Sequence, residues 1–164
     1  MKERIAICPG SFDPVTIGHL DIINRAAAMF DKVVVVVMNN VSKNCAFTPL
    51  ERKELLEKSI SLENVEIDIY DGLLAEYAAK KNAFAIIKGL RAMSDFEYEF
   101  QMALANKKLN PNVETLFLTT STENMYLSSS MVKQIANMGG DISSFVPAAI
   151  HDDIVKRLSS VTNK

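Results

Sequence analysis

The stretch Cys8-Pro9-Gly10-Ser11-Phe12-Asp13-Pro14-Val15-Thr16-Ile17-Gly18-His19 decides the fold. It lies between an apolar run, Ile5-Ala6-Ile7-Cys8, and an amphipathic stretch from Leu20 to Phe30. That order predicts a first strand, a tight loop and a first helix. In a parallel α/β sheet, ligands gather outside the carboxyl ends of the strands. A helix N-terminus at that edge adds free N–H groups and partial positive charge, which suit phosphate. Pro9 and Pro14 stiffen the loop, and Gly10 and Gly18 let backbone approach a ligand. Ser11 contributes a hydroxyl, and His19 an imidazole directed back toward the loop.

The stretch carries neither G-x-G-x-x-G nor G-x-x-x-x-G-K-[ST], so the dinucleotide-binding and P-loop readings lose their main support. It does carry Thr16-Ile17-Gly18-His19, which resembles the T/H-x-G-H signature of the nucleotidyltransferase superfamily. Four residues alone are a weak match. Preceded by Pro9-Gly10-Ser11-Phe12-Asp13-Pro14 at a strand end, they become specific.

Outward from this stretch, strands and helices alternate. Lys32 to Met38 is a β-branched run that reads as a central strand buried on both faces. The polar loop Asn39 to Asn44 follows, with Lys43 on the same sheet edge as His19. Thr48-Pro49-Leu50-Glu51 predicts a helix start, with Thr48 as N-cap, Pro49 at N1 and Glu51 closing a capping box, running to about Leu62. Val65 to Tyr70 alternates and reads as a strand nearer an edge, and Leu73 to about Lys81 as a helix. Phe84 to Ile87 is a short buried strand, with Lys88-Gly89-Leu90-Arg91 beyond its end as a candidate anion site. Ser94-Asp95-Phe96-Glu97 reads as a second capping box opening a helix to about Leu109. Val113 to Leu118 is a fifth strand. Leu127-Ser128-Ser129-Ser130 opens another helix with Ser128 or Ser129 as cap, leaving more hydroxyls than capping needs. Gly139-Gly140 ends that helix, and a last one runs from Pro147 to about Leu158. Five βα units predict a doubly wound, five-stranded parallel sheet of Rossmann-like type, in one domain over 1–164 with a polar tail at 159–164.

The totals agree with that class. The 164 residues are 48% hydrophobic and 23% charged, with a formal net charge of −2, which argues against a general nucleic-acid binder. Cys8 and Cys45 have no metal-type spacing, and two histidines are too few for a histidine-rich metal site. The apolar run from Val33 to Met38 is far short of a membrane span, and Met1 to Arg4 leads into a strand and not a signal-peptide core, so a cytoplasmic protein is expected. No acid pair stands out for proton abstraction and no G-x-S-x-G elbow is present. The polar clusters Ser11 to His19, Lys43, Lys88 to Arg91 and Thr119 to Ser130 all follow strands. They describe a cationic phosphate clamp without a covalent nucleophile.

The chain resembles the bacterial phosphopantetheine adenylyltransferase family over nearly its whole length. The resemblance rests on P-G-S-F-D-P-x-T-x-G-H, Ser42-Lys43, Lys88-Gly89-Leu90-Arg91, Asp95-Phe96-Glu97-Tyr98-Glu99 and Ser128-Ser129-Ser130-x-Val132-Lys133. It implies in-line attack of the 4′-phosphopantetheine phosphate on the α-phosphorus of ATP, giving dephospho-coenzyme A and pyrophosphate. His19, Ser11, Lys43 and Arg91 would form the catalytic set, and Ser11, Lys43, Leu74 and Lys88 the acceptor site. The ATP site would draw on Ser11, Phe12, His19, Gly89, Leu90, Arg91, Glu99, Asn124, Met125, Tyr126, Leu127, Ser128, Ser129 and Ser130. Mg2+ would arrive chiefly on ATP with no dedicated protein ligands, and a homohexamer is expected from the resemblance. Lys88 stands where arginine is frequent, exchanging a bidentate fork for a point charge. The competing readings are another nucleotidyltransferase, using CTP or a different acceptor, and a nucleotide-binding regulatory module without catalysis.

Overall fold

A computed structural model describes residues 3–39 and 42–159. Met1, Lys2, Asn40, Val41 and the tail from Ser160 lie outside the described residues. The strands are β1 (Ile5–Gly10), β2 (Lys32–Met38), β3 (Val65–Tyr70), β4 (Ala85–Leu90) and β5 (Glu114–Thr119). The helices are α1 (Ile17–Met29), α2 (Pro49–Ser59), α3 (Leu74–Lys80), α4 (Met93–Leu109), α5 (Ser129–Asn137) and α6 (His151–Ser159). The five strands form one parallel sheet in the order β3-β2-β1-β4-β5.

Strand alternation divides the core in two. Ala6, Cys8, Val33, Val35, Val37, Ala85 and Ile87 face the larger layer, which α1, α2, α5 and α6 fill with Ile23, Leu56, Val132, Ile154 and their neighbours. Ile7, Val34, Val36 and Ile86 face the other layer, against Tyr77 and Ala78 of α3. The five consecutive valines of β2 are therefore all buried, each against one layer or the other. β3, at the sheet edge, is only half-buried along its length, as its alternating sequence predicts.

Several boundaries differ from the sequence expectation. α1 begins at Ile17, ahead of the amphipathic stretch from Leu20, because Thr16 caps it and His19, at N3, completes the capping box. β4 runs on through Lys88, Gly89 and Leu90, because its ladder with β5 continues to the pair Leu90–Thr119. Backbone pairing, which a hydrophobic pattern does not report, sets that end. The capping box at Ser94 does not form: Ala92 occupies the N-cap of α4 without a side-chain bond. Asp95 turns instead to the Arg91 backbone N–H and Nε, both at 3.3 Å. α2 also ends earlier than expected, at Ser59.

The chain crosses from β3 on one side of β1 to β4 on the other, so β1 and β4 meet at the switch point of the topology. They pair with each other only at Ala6–Ala85 and Ile7–Ile86. β1 then follows β2 as far as Gly10–Val37, and β4 follows β5 as far as Leu90–Thr119. The two central strands part, and a cleft opens between their carboxyl ends.

The β1–α1 loop is folded tightly over that opening. Phe12 has φ 48°, in the left-handed region that a side chain disfavours, and Asp13-Pro14 is a cis peptide. The buried Phe12 ring folds back over Gly10, where a β-carbon would meet ring atoms at 2.9 Å. Gly10→Ala is therefore expected to lower stability by roughly 1–3 kcal/mol through overpacking, read by chemical denaturation with an unchanged m-value.

Candidate active site

The cleft between β1 and β4 has a volume of ≈ 560 Å³. Four segments converge on it. The β1–α1 loop brings Ser11, Phe12, Asp13, Thr16 and His19, and the β2–α2 loop brings Lys43, Asn44 and Cys45. The end of β4 and the start of α4 bring Lys88, Gly89, Arg91, Asp95 and Glu99. The segment after β5 brings Thr120, Asn124, Leu127, Ser128, Ser129, Ser130 and Lys133. Leu74, Leu90, Met125 and Tyr126 do not line the cleft. Leu74 packs against the smaller core layer, and Met125 and Tyr126 are exposed, with the Tyr126 ring against Phe145.

His19 is held in one orientation and one tautomer. The Thr16 backbone N–H donates to His19 Nδ1 at 3.0 Å, so that nitrogen carries a lone pair. The Phe12 ring meets the imidazole edge-on at 5.1 Å between centroids. Burial, reinforced by the Arg91 guanidinium, lowers the imidazole pKa from 6.5 to about 4. The ring is therefore neutral at physiological pH, and its proton sits on Nε2. His19 offers the cleft a fixed, uncharged hydrogen-bond donor.

The cations of the cleft are largely matched by acids. Lys88 Nζ lies 3.2 Å from Glu99 Oε2, and Arg91 Nε lies 3.3 Å from Asp95 while its Nη1 donates to the Leu127 carbonyl at 2.9 Å. Lys133, on α5, donates to Asp13 at 2.8 Å. Lys43 is exposed on its loop and pairs with no carboxylate among the described residues.

Asp13 ties three of the four segments together. Its carboxylate, 4% exposed, accepts from the backbone N–H groups of Ala46 at 3.0 Å and Phe47 at 2.9 Å, besides Lys133. It thereby sets the loop that carries Lys43 against both the β1–α1 loop and α5. Sequence reading passed over Asp13 and Lys133 as site-building residues, although both lie in the quoted motifs. An aspartate between aromatic and proline, in a loop otherwise short of partners, was the available signal.

The three serines divide their work. Ser128 caps α5 through the Met131 N–H at 3.1 Å, and Ser129 Oγ donates to the Pro14 carbonyl at 2.8 Å. Ser130 lines the cleft with no hydrogen-bond partner among the described residues. One hydroxyl makes the helix, one fastens the loop, and one is left for a ligand.

No His, Cys, Asp or Glu group of three or more capable of holding a metal occurs among the described residues. The cleft acids Asp13, Asp95 and Glu99 are each already engaged with a cation. The donor set thus does not fit a protein-held metal cage. Burial pushes the Cys8 thiol up to about 12, which removes it as a nucleophile. No helix among the described residues is long and apolar enough to cross a membrane.

A switch-point cleft with a T-x-G-H histidine at a helix start and converging cations defines a nucleotidyltransferase, and the model of the cytidylyltransferase-like family matches residues 7–135. Among solved structures, the nicotinic acid mononucleotide adenylyltransferase of Plasmodium falciparum superposes with a TM-score of 0.65 at 13% identity, covering 99% of this chain and 97% of that one. A bifunctional NMN adenylyltransferase/ADP ribose pyrophosphatase from Francisella tularensis, complexed with AMP and a manganese ion, superposes at TM-score 0.69 and 15% identity. It covers 98% of this chain and 52% of that one. These similarities concern the fold. In sequence, the phosphopantetheine adenylyltransferase of Caldanaerobacter subterraneus subsp. tengcongensis is 59% identical over 94% of this chain and 97% of its own. That of Clostridium tetani is 54% identical over 94% and 97%. The chain belongs to the phosphopantetheine adenylyltransferase family.

The neutral state of His19 is open to measurement. Imidazole 15N shifts are expected to show an Nε2–H tautomer that does not titrate between pH 8 and pH 5. The unfolded chain takes up this proton near pH 6.5, whereas the folded protein does so only near 4. The stability of the wild type relative to His19→Gln should therefore fall as pH drops through that window and be constant above it.

Proposed function

We propose that this chain transfers the adenylyl group of ATP to 4′-phosphopantetheine, giving dephospho-coenzyme A and pyrophosphate. One observation supports the reading above others: the described cleft has no spare general base. Asp13, Asp95 and Glu99 are engaged with cations, and His19 uses its one lone pair on the Thr16 N–H. The nucleophile must therefore arrive already ionised. A phosphate monoester does so at neutral pH, with a second pKa near 6, whereas an alcohol acceptor would need a proton removed.

The steps follow from that. An acceptor phosphate oxygen attacks the α-phosphorus of ATP, a P–O bond forms, and the bond to the bridging oxygen breaks as pyrophosphate leaves. No proton moves and no covalent enzyme intermediate forms. Lys43, on its exposed loop, and Lys88, at the splayed end of β4, approach from the two sides of the opening and suit the acceptor phosphate. His19 Nε2–H and the Ser11 hydroxyl suit the equatorial oxygens of the transferring phosphorus, where charge accumulates. Arg91, braced by Asp95 and the Leu127 carbonyl, and Ser130 suit the remaining ATP phosphates. Magnesium enters as part of the ATP substrate. Its positive charge would offset the negative charge of the phosphate oxygens, and the cleft residues would orient the complex.

Self-association is part of the same proposal. Helix α4 leaves Met93 80%, Tyr98 64% and Leu104 57% exposed, an apolar display that a homohexamer of the family type would cover. A cytoplasmic location accords with a coenzyme A precursor as substrate.

Pyrophosphate release should require ATP and 4′-phosphopantetheine together, and CTP should not replace ATP. Release with CTP, or without the acceptor, would refute the assignment. His19→Ala is expected to lower kcat about 10²- to 10³-fold, as loss of a transition-state donor does, with little change in ATP affinity. Lys88→Ala should raise the KM for 4′-phosphopantetheine by about tenfold or more, the loss of a charge-assisted hydrogen bond. The acid limb of kcat/KM should follow the acceptor phosphate near pH 6 and be retained in the residual activity of His19→Ala.

A further inference from the structure

Arg52, on α2, is 1% exposed, among the most buried side chains in the protein. Its Nη1 donates to the Ser11 carbonyl at 2.7 Å, and its Nε is buried without a partner. Among the described residues no carboxylate pairs with it, in contrast to Lys88, Arg91 and Lys133. A guanidinium does not shed its proton, and an unpaired buried charge is unfavourable. Apolar packing would serve the core of α2 better, so the position calls for another account.

The Ser11 carbonyl supplies one. The Ser11–Phe12 peptide is trans, so its C=O and N–H point in opposite directions. With the carbonyl drawn inward to Arg52, the Phe12 N–H points away from Arg52, and both Ser11 and Phe12 border the cleft. No described group accepts from that N–H.

We infer that Arg52 is a positioning residue for substrate phosphate: it anchors the Ser11 carbonyl so that the Phe12 N–H faces the cleft, and its uncompensated charge is met by the incoming polyanion. This rests on the phosphate-transfer reading above. Arg52 does not itself line the cleft, so it acts through the loop and through the field.

The test is calorimetric titration of wild type, Arg52→Met, Arg52→Gln and Arg52→Lys with magnesium ATP and with inorganic pyrophosphate, beside denaturant unfolding of each. Arg52→Met and Arg52→Gln are expected to bind both ligands about tenfold more weakly, with Arg52→Lys recovering most of the affinity. Unfolding free energy should not follow the same order, since removal of an unpaired buried charge is neutral or stabilising. Wild-type affinity in Arg52→Met, or affinity that falls only as the folded fraction falls, would overturn the inference. The wild type offers an independent readout. The Arg52 Nε–H resonance, assigned by its loss in Arg52→Lys, should shift when pyrophosphate is added, and an unmoved signal would also overturn it. Wild-type protein that binds neither ligand would defeat the phosphate-transfer reading itself, which separates that failure from an unaltered variant.

Discussion

Strands β1 and β4 are joined by two residue pairs and then separate, each continuing along its outer neighbour. The rest of the site depends on that parting. A fully zipped central pair would close the backbone where the cleft now lies, and Lys88 would have no opening to face. The crossover that takes the chain from β3 to β4 is what brings two strands of remote sequence together at this point. The cleft is thus a property of the topology before it is a property of any side chain.

Charge is then distributed so that, in the proposed reaction, the opening attracts phosphate without doing acid–base chemistry. Three cations are held by three acids, which fixes their positions and removes those acids as bases. The one histidine is kept neutral by burial and by Arg91, with its lone pair occupied by the Thr16 N–H. In the proposed reaction such an arrangement positions the substrates and stabilises charge on phosphorus. It also makes the Asp13 carboxylate structurally central, because the same group seats α5 and the Lys43 loop. The fold and its chemistry are coupled through that one buried acid.

Much of this was legible in the chain. The valine run of β2, the Thr48–Glu51 capping box and the alternating β3 obey local rules, and each lies where the sequence predicts. The departures have different causes. The apolar pattern ends β4 at Ile87, but a ladder with β5 carries it through Leu90. Ser94 reads as a cap, but α4 starts at Met93, which places Ser94 inside its first turn. In the first case a partner strand remote in sequence outweighed the hydrophobic pattern, and in the second the helix start moved by two residues. Arg52 carried no signal at all: an arginine on a predicted amphipathic helix reads as a solvent-facing residue, and only packing puts it under Ser11.

The sequence by itself determined the parallel α/β class and the switch-point loop, because periodicity, capping residues and the T-x-G-H spacing are local and survive without coordinates, and its resemblance in the Lys88–Arg91, Asp95–Glu99 and Ser128–Ser130 segments pointed to the family. The tertiary structure decided which hydroxyl of Ser128 to Ser130 is free, which tautomer His19 adopts and which cations are already paired. Those outcomes turn on hydrogen bonds and burial between segments that are far apart in the chain. Their geometry exists only once the sheet has brought the segments together.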